Sequence, residues 1–207
     1  MDVGAVGWGR MRNVSVITAP SPEARWVRRA ADVLAHDLRD HHLPTAEHSH
    51  RLASLALQVA IRMGMQRDET TEVEVVAVLH DVGKLAVEPE ILDYPGPLGS
   101  RERAIMARHT IEGEELLART AGLEHLAPLV RATHERYDGT GYPDGLAGNG
   151  IPLPARIVSC IDAYDAMTTS RAYRRALTFS EARERLGAAS GTQFDPAVVA
   201  VLLGILV

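Results

Sequence analysis

Six side chains of metal-ligand type occur along this chain in one order: His48, the doublet His80-Asp81, His109, His134 and Asp162. A chain that gathers them at one place must fold so that widely separated segments meet in its interior. Four imidazoles and two carboxylates can hold two divalent cations with one carboxylate bridging. Such a clamp, with ions about 3.5–4 Å apart, suits in-line attack of water on a phosphodiester. Imidazole and carboxylate together suit borderline divalent ions such as iron, manganese, zinc or nickel. The absence of thiolates from the set argues against a structural zinc knot.

Local signals favour helices as the carriers. Ser21-Pro22-Glu23 is a helix start, with a cap, a proline in the first turn and an acid at the positive dipole end. That helix is expected to reach about Asp40. A second is expected from near Thr45 to Gly64, bearing Leu52, Leu55, Leu57, Val59, Ala60 and Met63. A third, capped by Asp68, runs through Val73, Val75, Val76, Val78 and Leu79 and delivers His80-Asp81 at its end. The valines would also suit a strand, but the helical spans on either side decide for helix.

Further on, Pro89 to Leu92 reads as a single turn. Ser100 is expected to cap a helix from Arg101 to about Thr120 that contains His109, and another helix from about Leu123 to Tyr137 carries His134. Five glycines and three prolines mark the stretch from Asp138 to Pro154 as irregular, and a connection of that length is usually functional or disordered. A helix from Ala155 to Thr168 bears Asp162. Two short ones, Ser180–Leu186 and Asp195–Leu206, complete an all-α fold: one bundle of about six to eight helices with ligands on facing helices.

The length of 207 residues suits one domain, here residues 21–207, preceded by an arm or linker remnant at 1–20. A hydrophobic share of 46% against 24% charged residues describes a globular chain. The formal charge of −5 gives no general field for polymeric nucleic acid, so a small anion would need local cations. A single cysteine, Cys160, excludes an internal disulfide and fits a reducing cytoplasm. Residues 1–20 lack the apolar stretch of a signal peptide, and the apolar end from Val198 is too short to cross a bilayer. It reads as the last core helix, with an oligomer contact as the alternative.

The segments His80-Asp81-Val82-Gly83-Lys84 and His134-Glu135-Arg136-Tyr137-Asp138-Gly139-Thr140-Gly141-Tyr142-Pro143 carry a family resemblance. With the order of the other ligands, they resemble the HD-GYP family of HD-domain phosphohydrolases, over about Thr45 to Val198. The resemblance implies that His48, His80, Asp81 and Asp162 hold one metal, and that a bridging Asp81 with His109 and His134 holds the second. It implies hydrolysis of cyclic di-GMP by a metal-bound hydroxide, giving pGpG first and GMP if that product is bound again. Lys84, three residues beyond Asp81, is placed to meet a phosphate oxygen or the leaving alkoxide.

Arg171 and Arg174, spaced i, i+3, match positions that contact the dinucleotide in the family. Tyr142 and Pro143 either face the substrate or anchor the loop. Asp165, one turn after Asp162, is expected to orient a ligand through a hydrogen bond. His36, His41, His42, His50 and His125 lack motif support and read as surface or core histidines. Two positions depart from the family pattern. Thr133 stands where a second-metal histidine is usual, and Thr45 where some members have a third-metal glutamate, although Glu47 is close by. Two metals, not three, are therefore expected.

Two alternatives remain open: a catalytically impaired cyclic di-GMP receptor, and a phosphohydrolase for another nucleotide. A homodimer or a regulatory protein partner is compatible with either. Family members usually sit behind a sensory domain, for which the residues before Ser21 are too few.

Overall fold

The computed structural model describes residues 21–170 and 175–206. The expectations for residues 1–20, Arg171 and Arg174 fall outside them. Helix α1 (Pro22–His41) starts as its signals require, the Ser21 hydroxyl accepting from the Ala24 amide at 3.0 Å. It buries Val27, Ala31, Leu34 and Leu38 along one stripe. His42 ends α1 and caps α2 (Leu43–Arg62), which stops just before Gly64, at φ 79°. Helix α3 (Arg67–Leu79) is capped by a reciprocal Gln66/Glu69 box, so Asp68 lies in its first turn and is not the cap. The valines of α3 are helical, and Val73, Val75 and Val76 are buried.

Helix α2 lies against α1 and α3, and its other side meets α8 (Leu153–Thr168), reached after four shorter helices. The first of those is the expected single turn α4 (Pro89–Leu92). The helix expected from Arg101 to Thr120 is two, α5 (Ser100–Ala107) and α6 (His109–Arg119), and Gly99 occupies the cap position. The break has a local cause: the His109 ring takes the Met106 carbonyl at 2.6 Å, which competes with the helical ladder. The helix expected from Leu123 to Tyr137 is likewise only α7 (Ala127–Arg131) between two 3-10 turns. There the Thr133 hydroxyl takes the Val130 carbonyl at 2.8 Å.

The chain closes with α9 (Phe179–Ala188), capped by a Thr178/Glu181 box, and α10 (Pro196–Ile205), capped by Asp195. Among the described residues eight of the ten α-helices are eight residues or longer, and there is no strand, only a bridge between Ser190 and Phe194. The protein is an all-α bundle. Its aliphatic core includes the fully buried Leu38, Leu52, Leu79, Leu117, Leu123 and Leu126, each contributing about 1.5–3 kcal/mol by leaving water. Val198, Val199 and Leu202 of α10 belong to that core, as a last core helix requires. The lone Cys160 is buried there. No described helix is long and apolar enough to cross a membrane.

Candidate metal centre

The six ligand-type residues come from five segments and meet in the core as two trios, His48/His80/Asp162 and Asp81/His109/His134. Within each trio the ligand atoms lie within 4.8 Å of one another. His48 is on α2, His80 caps the end of α3, His109 opens α6, His134 closes the turn after α7, and Asp162 is on α8. On a regular helix His80 and Asp81 would point about 100° apart. The chain instead leaves the helix at Asp81 (φ −102°, ψ 6°) and enters a 3-10 turn, Val82–Ala86.

That exit turns the Asp81 carboxylate between the trios. Its Oδ2 is 3.4 Å from His80 Nε2, and its Oδ1 is 3.4 Å from His109 Nε2. Gly83 makes the approach possible. A Cβ there would lie 1.9 Å from the His109 carbonyl oxygen and 2.5 Å from the Gly113 amide, so α6 packs directly on the turn backbone. Gly141 acts similarly in the irregular loop, where a Cβ would stand 2.3 Å from the Arg136 amide. The loop folds back, and Tyr142, joined to Pro143 by a cis peptide, stacks on His134 with ring centroids 5.3 Å apart.

Hydrogen bonds fix which nitrogen each ring presents. Nδ1–H of His80 donates to the Ala77 carbonyl at 2.9 Å, and Nδ1–H of His109 to that of Met106. Both Nε2 lone pairs therefore face the centre. His48 directs Nδ1 to Asp165 at 2.6 Å and Nε2 to Asp162 at 2.9 Å. The Nε2 atoms of His109 and His134 are buried and find no hydrogen-bond partner among the described residues. Burying such atoms unsatisfied is costly, and a cation is the partner that aligned imidazole lone pairs beside a carboxylate suit. The donor set fits divalent metal.

The trios differ in charge. Burial disfavours a charged His48, yet its hydrogen bonds to Asp162 and Asp165 outweigh this and push it up to about 9. Burial, then the neighbouring His109, push His134 down to about 3, and burial also lowers His109. Asp162 is held down to about 2 because the His48 bond and nearby imidazoles overcome its burial. Asp81 stays well below the usual carboxylate range, burial being outweighed by His80, Lys84 and His109. Burial and the charges of Asp81 and Asp162 push Tyr142 up to about 12, so its hydroxyl keeps its proton.

The remaining candidates are distributed as follows. Lys84 Nζ is 2.7 Å from Asp81 Oδ2, at the edge of the centre. Asp165 meets His48 and also Arg51, a residue the sequence reading passed over. Glu135, part of the motif but given no role from the sequence, is buried and accepts the Asp144 amide at 2.7 Å, bracing the loop under Tyr142. Arg131 forks onto Asp144 from the other side. Thr45 turns its hydroxyl to His42 at 2.6 Å, and Glu47 is exposed. His41 bonds the Val87 carbonyl, His36 and His125 face acids at the surface, and His50 is exposed.

Residues 32–198 match the HD domain family. The chain belongs to that family. It is 41% identical over 155 residues to the cyclic di-GMP phosphodiesterase response regulator RpfG of Xanthomonas campestris, covering 74% of this chain and 41% of that protein. It is 38% identical over 161 residues to a 3'3'-cGAMP-specific phosphodiesterase of Vibrio cholerae, covering 77% and 31%. The chain thus spans less than half the length of these relatives. The fold is shared with a solved HDG"Y"P protein of Bdellovibrio bacteriovorus at TM-score 0.67 and 18% identity, over 89% of this chain and 65% of that one.

Proposed function

We propose that this chain is a metal-dependent cyclic dinucleotide phosphodiesterase of the HD-GYP type that hydrolyses cyclic di-GMP to pGpG, GMP or both. The observation that carries the reading is the Asp81 carboxylate, with one oxygen toward His80 and the other toward His109. His48, His80 and Asp162 with Asp81 would hold one ion, and Asp81, His109 and His134 the other, iron or manganese being favoured. Bound divalent ions supply Lewis acidity and lower the pKa of coordinated water towards roughly 7.

The protein's own groups do the rest. Buried carbonyl and carboxylate partners hold the rings so that no reorganisation is needed when charge develops. Lys84 stands beside Asp81, where its ammonium would meet phosphoryl charge as it grows. Tyr142, stacked on His134 and protonated, offers a hydroxyl and a ring face at the rim, with Pro143 beside it. Arg171 and Arg174 are proposed to take the phosphates or guanine edges.

The test is turnover by metal-loaded protein of cyclic di-GMP against 3'3'-cGAMP, the substrate for which three of the relatives are named. Preference for cyclic di-GMP supports the reading, preference for 3'3'-cGAMP corrects the substrate, and turnover of neither overturns the activity. Lys84→Ala should lower kcat by about 100-fold with KM little changed, because its charge acts on the transition state. One observation favours a receptor as the second reading: the Thr133 hydroxyl is committed to the Val130 carbonyl, so the second trio gains no strong ligand from that position. Tight binding of cyclic di-GMP without hydrolysis in excess manganese would select it.

A further inference from the structure

His80 and His109 are oriented by backbone carbonyls that the helices hold in place. His48 is oriented differently. Its Nδ1 meets a side chain, Asp165 Oδ2 at 2.6 Å, and a carboxylate can rotate about its terminal bond. Arg51 removes that freedom. Its Nε donates to Asp165 Oδ1 and its Nη2 to Oδ2, both at 3.2 Å, a two-pronged contact that fixes the plane of the carboxylate.

The arrangement follows from matched spacings. His48 and Arg51 are three apart on α2, Asp162 and Asp165 three apart on α8, so each pair shares a helix face. The helices pack together, giving two rungs, His48–Asp162 and Arg51–Asp165, with His48–Asp165 as the diagonal. An exposed Arg–Asp pair contributes little to stability. Here the Arg51 side chain is 47% exposed, but Asp165 is only 17% exposed and its other hydrogen-bonding partner is His48. The consequence of the pair therefore falls on the imidazole.

We propose that Arg51 is a positioning residue of the metal centre: it clamps Asp165, and Asp165 holds His48 with Nε2 toward the ion. Without the clamp the carboxylate can turn and the ring can flip, presenting Nδ1 in place of Nε2. The proposal rests on the metal-centre reading of the proposed function. Loss of a group that orients a metal-bound histidine typically weakens binding by 10–100-fold.

Two measurements on the full chain test it. The first is proton NMR of metal-free protein. The Nδ1 proton of His48 in its bond to Asp165 should give a far-downfield resonance, absent in Asp165→Ala, broadened or lost in Arg51→Ala and partly restored in Arg51→Lys. The second is manganese titration followed by electron paramagnetic resonance. Arg51→Ala should weaken one of the two sites by about 10–100-fold and leave the other unchanged. Adding Arg51→Ala to Asp165→Ala should cause no further loss, since the arginine acts through the aspartate. An unchanged downfield proton in Arg51→Ala overturns the proposal. So does additive loss in the double variant, or equal weakening of both sites with a lower unfolding temperature. Wild-type protein that shows the proton but binds no manganese would instead overturn the metal reading itself.

Discussion

His48 and His134 stand on opposite sides of one centre in opposite surroundings. His48 lies between two carboxylates, Asp162 on Nε2 and Asp165 on Nδ1, and is pushed up to about 9. His134 lies among rings, with His109 at 4.7 Å and Tyr142 stacked on its face, and is pushed down to about 3. The same residue type thus enters the two trios in different protonation states. Near neutral pH an ion entering the first trio must displace a proton, but it meets Asp162 as well as its share of Asp81. An ion entering the second finds neutral imidazoles ready, with Asp81 as the sole carboxylate of that trio. One site is held back by a proton and the other by a shortage of negative charge.

Asp81 is proposed to join the two sites, and its removal is the largest perturbation expected. Asp81→Ala should release both ions and lower kcat/KM by roughly 1,000-fold or more, beyond the loss of a single stabilising donor. Helical circular dichroism should persist, because the surrounding core is aliphatic. Loss of only one ion in elemental analysis would mean that the carboxylate is not shared.

The next effect is in pH. The folded-state pKa of His48 is raised, so below about 9 metal must compete with its proton. Affinity at the first site should climb about tenfold per unit between pH 6 and 8 and level off above 9. His134 and His109 are shifted down, so affinity at the second site should stay flat over that range. Manganese titrations at several pH values would show one sloping and one level constant; two parallel slopes would erase the contrast.

The smallest effect concerns Thr133. Thr133→His restores a nitrogen to the second trio and should tighten that site about tenfold while leaving the first alone. It also removes the hydroxyl bond to Val130, so unfolding temperature is the control measurement. No change at either site would show that position 133 does not reach the ion.

Much of this centre was legible before the fold was known, because its ligands sit where local signals are strong. The caps at Ser21 and Asp195, the glycine after the doublet and the glycine-rich run before α8 all mark element ends, and backbone chemistry at ends is written in residue type. The break before His109 was hidden because its helical pattern continues on both sides. It is made by an imidazole taking a backbone carbonyl, a competition that no periodicity records. The cap of α3 was misread for a related reason: Asp68 has the commoner capping side chain, but the reciprocal bonds are made by Gln66 and Glu69.

Arg51 looked like an ordinary polar position and Glu135 was only a letter of the motif, since their roles depend on Asp165 and Asp144 in segments far away or folded back. The signal that could have found Arg51 is its spacing from His48, the same three residues that separate Asp162 from Asp165.

The most direct measurement of the account is metal stoichiometry in matched single variants, read by elemental analysis after gel filtration in manganese. Wild-type chain should carry two ions, His48→Ala and His134→Ala one each, and Asp81→Ala none. The ion kept by His48→Ala should be the one whose affinity is level between pH 6 and 8, and that kept by His134→Ala the one that climbs. A wild-type chain with a single ion, lost equally in both histidine variants, would contradict the two-site centre.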